Sequence, residues 1–338
     1  MTLDHVPIAL PHPNDIAVNK HALGIMQSFA FDATSLVLQF SLSSLLFGVL
    51  TILALSSVFL LLRRRALTNA SIRIPLLTTV VLYASTSLYM AGLIWNWTSV
   101  TRIIREANEG LSSESYDGAA NLISLENAVF KQSWMATAGL AANVIVGDAV
   151  VWWRACVIWR HRAVYYAGPI ALLLTLAFGI VGALQSYPGP IQSIYFMVGG
   201  GGFADAAAAL SLATNLAATA LISIKAFLHN RRLTKYLGSS GGKTRALKMF
   251  ALLIESGSVY CVILLVVLVY QFNSDTAGPI FTAEYFFVYG CLVPLVAIYP
   301  TGIVFLTALD WSPLHWGLSE SMVSQGPLST SEYDSETA

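Results

Sequence analysis

Residues 36–62 read LVLQFSLSSLLFGVLTILALSSVFLLL, an apolar stretch without one charged side chain, and three arginines follow it directly. A helix that spans the hydrocarbon core of a bilayer needs about 20 consecutive, mostly apolar residues. This stretch is long enough for such a helix, and Arg63, Arg64 and Arg65 mark one of its ends. It therefore predicts a transmembrane helix with a basic flank.

Six further stretches have the same character, and each contains at most two charged residues. They are residues 74–97, 132–159, 163–187, 203–228, 249–271 and 281–309. The predicted fold is all-α, a polytopic membrane protein with a seven-transmembrane helix bundle over residues 36–309. Residues 1–35 are an N-terminal tail. Residues 310–338 are rich in Ser, Thr and acidic side chains and are predicted to be a disordered tail, with kinase regulation as the functional alternative.

The composition of the whole chain agrees with a membrane protein and excludes several other classes. Of 338 residues, 56% are hydrophobic and 11% are charged, whereas soluble domains carry about 25% charged residues. This hydrophobicity excludes a disordered chain. A net charge of zero, with no basic domain, excludes a nucleic-acid-binding protein. Three cysteines are too few for a disulfide-rich secreted scaffold.

Lys and Arg are distributed unevenly over the predicted loops, and this bias predicts the orientation. One side carries Arg63, Arg64, Arg65, Arg73, Arg160, Arg162, Arg231, Arg232, Lys235, Lys243, Arg245 and Lys248. The other side carries Lys20 in the tail and Arg102, Arg105 and Lys131 in a longer, acidic loop between the second and third segments. Because cytoplasmic loops are the basic ones, the N-terminus is predicted outside and the C-terminus inside, in the plasma membrane or the endoplasmic reticulum.

Two ionisable residues lie at similar depth in the third and sixth segments. Arg154 is about five residues from the basic end of its segment, so ~7 Å deep, and Glu255 is about six residues from that end, so ~9 Å deep. An ionisable group in hydrocarbon usually faces a partner. We therefore predict an ion pair between Arg154 and Glu255 that ties helix 3 to helix 6 and opens when helix 6 moves. The alternatives are a static pair, or a snorkelling Arg154 beside a protonated Glu255.

Asp148 lies deeper, roughly 16 Å from the basic end by helical rise, and has no cation at its own level. It is predicted to be protonated, hydrogen-bonded to polar groups, or exposed to a watery cavity. The candidate partners are Asn143, Asn215, Thr79, Tyr83 and Thr86. Asp148 is the best single candidate for a functional residue, and a structural hydrogen bond is the competing interpretation.

The fifth segment carries small or polar residues at every fourth position. They are Ala207, Ser211, Asn215, Thr219 and Ser223. Small residues allow transmembrane helices to approach closely. We therefore predict that this stripe is a helix-packing face, and a polar pore lining is the alternative.

Several residue types needed for metal or cofactor chemistry are missing from the predicted helix interiors. All six histidines lie outside them, which argues against a buried zinc site. The seventh segment has no lysine to which retinal would attach, and no Ser/His pair is available inside the predicted helices. We therefore expect neither a metal nor a cofactor.

Four blocks of sequence resemble shared blocks in a group of seven-transmembrane proteins from mushroom-forming (basidiomycete) fungi. They are GDAVVWWRACVIW at 147–159, LATNLAAT at 212–219, LIESGSVYC at 253–261 and YPT at 299–301. The resemblance covers helices 3 to 7. It implies a seven-helix fold and a fungal origin, but it implies no activity.

The layout is also similar to that of G-protein-coupled receptors. Arg154 lies near the inner end of helix 3, and Tyr299 and Pro300 lie near the end of helix 7. The Asp-Arg-Tyr triplet and the Asn-Pro-x-x-Tyr order of those receptors are absent from the sequence. The similarity therefore concerns architecture and not a shared functional motif.

Three functions compete at this point. The first is a receptor-like signalling protein that binds a ligand from outside and a cytoplasmic partner at the basic residues 231–248, with the Arg154–Glu255 contact as its switch. The second is a membrane-embedded enzyme acting on a lipid or isoprenoid, similar to a terpene cyclase, with Asp148 and Glu255 as general acid and base. The third is a transporter in which Pro294 and Pro300 break helix 7.

Overall fold

The computed structural model describes residues 20–63, 70–111, 119–185, 196–197, 201–237, 245–272 and 286–310. All regular secondary structure in these ranges is helical, which confirms the all-α fold class. The helices are α1 (Lys20–Arg63), α2 (Ala70–Gly110), α3 (Ala119–Trp159), α4 (Arg162–Gln185), α5 (Gly202–Leu237), α6 (Arg245–Phe272) and α7 (Leu292–Asp310). A π-helical turn, Phe287–Cys291, leads into α7. Most of the predicted N-terminal tail and the Ser/Thr-rich tail lie outside the described residues.

Six of the described helices are long and apolar enough to cross a membrane. Their apolar spans are Leu36–Arg63, Arg73–Gly110, Ala128–Trp159, Arg162–Gln185, Gly202–Leu228 and Phe287–Leu309. The outer face of α1 is apolar, as expected of a surface in contact with lipid. Leu45, Ile52 and Phe59 recur on it every seven residues and are each more than 60% exposed. The protein is therefore a multi-pass membrane protein. Helix α6 contains a shorter apolar segment, Leu253–Val269.

Helix α3 is the centre of the bundle. It packs against α2, α4, α5 and α7, whereas α1 packs against α2 and α7, and α6 packs chiefly against α5. The buried core between these helices is mostly aliphatic, and one cluster contains Leu140 and Val144 on α3, Leu264 on α6 and Val296 on α7. Ionisable residues on the inward faces of α3 are therefore surrounded by protein.

Hydrogen bonds between helices fix their relative directions. Gln132 on α3 binds Ser99 on α2, and Asn143 binds Ser85, so α2 and α3 are antiparallel. Asp148 binds Ser211 and Trp159 binds the Leu221 carbonyl, so α3 and α5 are parallel. Leu50 and Leu61 of α1 cluster with Leu82 and Leu76 of α2, so α1 and α2 are antiparallel as well. Helices α1, α3 and α5 therefore end on the same side of the bundle, and we call this side the basic end because it carries the arginine-rich connections.

The predicted loop between the second and third segments is largely helical. Helix α2 continues past residue 97 to Gly110, and α3 begins at Ala119. The extension of α2 buries Val100, Ile103 and Ala107, which follow helical spacing on one face. The loop prediction was wrong here. It relied on continuous apolar runs, and charged residues between these positions interrupt the run although one face of the helix is apolar.

Close packing between α4 and α5 depends on Gly182. A Cβ atom added at Gly182 would lie 2.8 Å from the backbone nitrogen of Ala204. Small residues at a crossing of this kind let two helix backbones approach each other, which is the usual means of packing helices in lipid.

Candidate functional site

The centre of the site is the carboxylate of Asp148 on α3, of which only 1% is exposed. Ser211 on α5 donates a hydrogen bond to Oδ2 over 2.7 Å. Asn215 on α5 donates to Oδ1 over 2.6 Å, and the hydroxyl of Tyr260 on α6 donates to Oδ1 over 3.2 Å. A buried polar group must be hydrogen-bonded to be tolerated. Asp148 meets this requirement with three neutral donors, and in doing so it links α3 to α5 and α6.

The sequence analysis named Asn215 as a candidate partner of Asp148, and the structure brings the two together. Ser211 and Asn215 share one face of α5 because they are four residues apart. The neighbouring members of the stripe lie on the same face. Ala207 is buried, and Thr219 packs closely on Gly257 of α6. A Cβ atom added at Gly257 would lie 2.5 Å from the hydroxyl oxygen of Thr219. The stripe is thus packed between α3 and α6.

Tyr260 extends the site towards α7. Its ring stacks on the ring of Tyr299, and the Tyr299 hydroxyl interacts with the side chains of Arg154 on α3 and Ser256 on α6. We call the connected side chains the intramembrane polar network: Asp148, Arg154, Ser211, Asn215, Ser256, Tyr260 and Tyr299. The network joins four helices, and it begins and ends on α3.

The predicted ion pair between Arg154 and Glu255 does not form. Arg154 interacts with Tyr299, and the Glu255 side chain is exposed. Depth along the helix suggested the pair, but depth does not fix the direction around the helix axis. Glu255 is five residues from the buried Tyr260, which places it about 140° away around the helix, whereas Ser256 is four residues away and shares its face. Tyr299 on α7 therefore takes the place that we predicted for Glu255.

This arrangement also bears on the enzyme alternative, which places Asp148 and Glu255 in one site as acid and base. Asp148 is enclosed by its hydrogen-bond donors, and Glu255 is exposed, so the two carboxyl groups do not share a site. Within the described ranges, no group of three or more His, Cys, Asp or Glu side chains is placed to hold a metal ion.

Asn143 on α3 forms a second polar cluster, which the sequence analysis did not foresee. Its amide donates to the hydroxyl of Thr86 over 2.9 Å and to the carbonyl of Val293 over 3.2 Å, and it also binds the hydroxyl of Ser85. We had considered Asn143 and Thr86 as partners of Asp148. Asn143 is five residues before Asp148 and so points to a different face of α3. This cluster ties α2, α3 and α7 together.

The other two candidate partners on α2 also lie apart from Asp148. The Thr79 hydroxyl donates to the Pro75 carbonyl of its own helix over 3.0 Å, and the Tyr83 ring stacks on Phe47 of α1. We missed two partners of Asp148: Ser211, which the sequence analysis named only in the stripe of the fifth segment, and Tyr260 on α6. The signal for Tyr260 in the sequence was its position four residues after Ser256 and one residue before Cys261, within an otherwise apolar helix.

The π-helical turn before α7 is held by two hydroxyl groups. Ser43 on α1 donates to the carbonyl of Gly290, and Tyr89 on α2 donates to the carbonyl of Tyr289 over 2.6 Å. In a regular helix the amide of residue 294 would donate to the Gly290 carbonyl, but Pro294 has no N–H. Ser43 thus satisfies a carbonyl group that the proline leaves without its helical partner.

The predicted partner region, residues 231–248, is only partly described. Helix α5 continues beyond its apolar span, which ends at Leu228, as far as Leu237, and α6 begins at Arg245. Arg231 is exposed, with its guanidinium 5.6 Å from the centre of the Phe227 ring. Residues 238–244, including Lys243, lie outside the described residues. The helical backbone on both sides of this gap lies outside the apolar segments of α5 and α6.

Comparison with known proteins gives no match. No family model, no curated protein and no solved structure matches the chain.

Proposed function

We propose that the chain is a receptor-like signalling protein with seven transmembrane helices, an outside N-terminus and a cytoplasmic C-terminus. The seventh span in this count is α6. At 28 residues, and with a rise of 1.5 Å per residue, it has a length of about 42 Å, enough for a hydrocarbon core about 30 Å thick. The positive-inside bias supports the orientation, because the basic end carries twelve of the 18 lysines and arginines.

The observation that carries the proposal is the hydrogen bond between Tyr260 and Asp148. It is the longest of the three bonds to the carboxylate, at 3.2 Å against 2.6 and 2.7 Å for the two bonds from α5. It also joins α3 to a helix that packs chiefly on α5. Of the two helices that bind Asp148, α6 is therefore held less firmly than α5. A ligand that binds more tightly to the conformation in which this hydrogen bond is broken increases the population of that conformation, and α6 moves with it.

In this proposal the cytoplasmic partner binds where α5 and α6 extend past the bilayer. The partner is a heterotrimeric G protein, and acidic side chains on it would face the basic residues 231–248. Movement of α6 changes the spacing between the ends of α5 and α6, and the network at mid-membrane is thereby coupled to the partner surface.

The test is guanine-nucleotide exchange on a purified heterotrimeric G protein in liposomes that contain the full chain. Tyr260→Phe keeps the ring but removes the hydroxyl group, so it opens the bond to Asp148 without a ligand. A hydrogen bond contributes about 1 kcal/mol, so basal exchange should rise about fivefold. Tyr83→Phe is the matched control, since that ring stacks on Phe47 outside the network. Exchange no faster than in empty liposomes for every variant would contradict the receptor proposal.

A further inference from the structure

A surface cavity of about 250 Å³ lies at the turn between α3 and α4, at the basic end of the bundle. It is lined by Cys156, Arg160, His161, Arg162, Tyr165 and Tyr166. These residues include two arginines, a histidine and two phenol groups, and none of them carries a carboxylate. The lining therefore offers hydrogen-bond donors and positive charge, which is the chemistry that an anion requires.

The turn concentrates these side chains by its geometry. Helix α3 ends at Trp159 and α4 begins at Arg162, so only two residues connect the helices. Arg160 adopts a left-handed conformation with a φ of 49°, and its amide donates to the Cys156 carbonyl over 2.9 Å. His161 accepts a hydrogen bond at Nδ1 from the amide of Ala163 over 3.3 Å. Three consecutive basic side chains are thus held at one short turn, and all three are exposed.

The cavity lies at the level of the lipid headgroups. The apolar span of α3 ends at Trp159, and that of α4 starts at Arg162, so the turn marks the edge of the hydrocarbon core. Tyr165 and Tyr166 are 66% and 64% exposed, and their rings meet edge to face with centroids 5.6 Å apart. Tyrosine is enriched at this depth because its ring is apolar and its hydroxyl is polar.

We propose that this cavity binds the phosphate group of an anionic phospholipid. Arg160 and Arg162 pair with the phosphate oxygens, and the tyrosine hydroxyls donate to the headgroup. The volume favours a headgroup over a larger ligand, because pockets for drug-sized molecules measure about 300–1,000 Å³. The acyl chains of the lipid stay in the bilayer beside the exposed apolar residues Ile170 and Leu173 of α4. In the proposed orientation the cavity faces the cytoplasmic leaflet, which is rich in anionic lipid.

The test is native mass spectrometry of the full, delipidated chain in detergent with equal amounts of phosphatidylglycerol and phosphatidylcholine. Wild type should retain one phosphatidylglycerol in preference to phosphatidylcholine. The double variant Arg160→Gln/Arg162→Gln should bind phosphatidylglycerol about 30-fold more weakly, since each arginine near an anionic headgroup contributes about fivefold. Because both side chains are exposed, the variant should keep its fold, which size-exclusion chromatography checks.

The matched control is Arg63→Gln/Arg231→Gln, which removes the same charge from two exposed arginines at the basic end that do not line the cavity. Its affinity should stay within about twofold of wild type, because neither of these side chains lines the cavity. An equal loss in both double variants would overturn the proposal in favour of general surface charge. Displacement of the lipid by a large excess of inorganic phosphate would assign the cavity to free phosphate instead.

Discussion

The rings of Tyr260 on α6 and Tyr299 on α7 lie almost parallel, with centroids 4.8 Å apart and an angle of 5° between their planes. Both hydroxyl groups interact with side chains on α3. The Tyr260 hydroxyl donates to Asp148, and the Tyr299 hydroxyl interacts with Arg154. The two rings therefore form one contact between α6 and α7 that is anchored at both ends by the same central helix. Removing either ring should weaken what the other ring contributes.

A double-mutant cycle on Tyr260→Leu and Tyr299→Leu measures this dependence. Stacked aromatic pairs contribute about 0.5–1.5 kcal/mol beyond the area they bury, and we expect a coupling free energy of that size between the two substitutions. Unfolding of the purified protein in detergent micelles gives the values. The pair Tyr260→Leu and Tyr83→Leu serves as control and should be additive, because Tyr83 packs on Phe47. Additivity in the first pair would show that the stack is not a mutual contact.

Arg154 and Glu255 should behave as independent residues. Glu255→Gln should change the free energy of unfolding by no more than about 0.5 kcal/mol, because the side chain is exposed. Arg154→Gln should lower it by about 1–3 kcal/mol, because the Tyr299 hydroxyl loses a charged partner. The charge swap Arg154→Glu/Glu255→Arg is the decisive variant. If it were more stable than Arg154→Glu alone, the two residues would be paired after all.

Gly182 should tolerate no side chain. Gly182→Ala places a Cβ 2.8 Å from the Ala204 backbone nitrogen, so α4 and α5 must separate, and overpacking of this kind costs about 1–3 kcal/mol. Gly48→Ala on α1 is the matched control, since nothing lies within 4 Å of the added Cβ. Thermal unfolding in the same detergent should show a lower Tm for the first variant and no loss for the second. Equal Tm values would mean that the α4–α5 crossing is wider than described.

The effects of substituting Ser43 and Pro294 on the free energy of unfolding should depend on each other. Ser43→Ala leaves the Gly290 carbonyl without its hydroxyl donor, which should cost about 1–3 kcal/mol. In the double variant Ser43→Ala/Pro294→Ala, the new amide at residue 294 can donate to that carbonyl in a regular helix, so part of the loss should be recovered. Chemical denaturation of the four proteins in the cycle tests this expectation. A double variant less stable than Ser43→Ala would show that the proline is needed for another reason.

Hydropathy and charge predicted the helical membrane domain, because long apolar runs leave few alternatives in a bilayer. The same reasoning found Asp148 and Asn215, because buried polar residues in such a helix need partners. It failed for Arg154 and Glu255 because matching depth does not determine rotation about the helix axis. Tryptophan near a helix end is typical of the membrane interface, but Trp152 is 8% exposed and donates to the Val164 carbonyl between α3 and α4.

Stacking partners and hydroxyl donors from distant helices could not be predicted from the sequence either. Tyr299 is 39 residues from Tyr260, and nothing in the spacing of two tyrosines on separate helices predicts a face-to-face contact. Likewise, Ser43 and Tyr89 reach the π-helical turn only because α1 and α2 pack beside it. Such contacts are set by the packing of the whole bundle and not by any one segment.

The extensions of α2 and α3 make the protein easier to study than its small size suggests. Residues 98–110 of α2 continue the helix for ~20 Å beyond the predicted segment 74–97, and the hydrogen bond between Ser99 and Gln132 joins α2 to α3 at the base of this extension. A single-particle image of a chain with 338 residues contains few features outside the detergent belt. A soluble fusion partner inserted between the two helices, within residues 112–118, would give each particle a marker with which to align it.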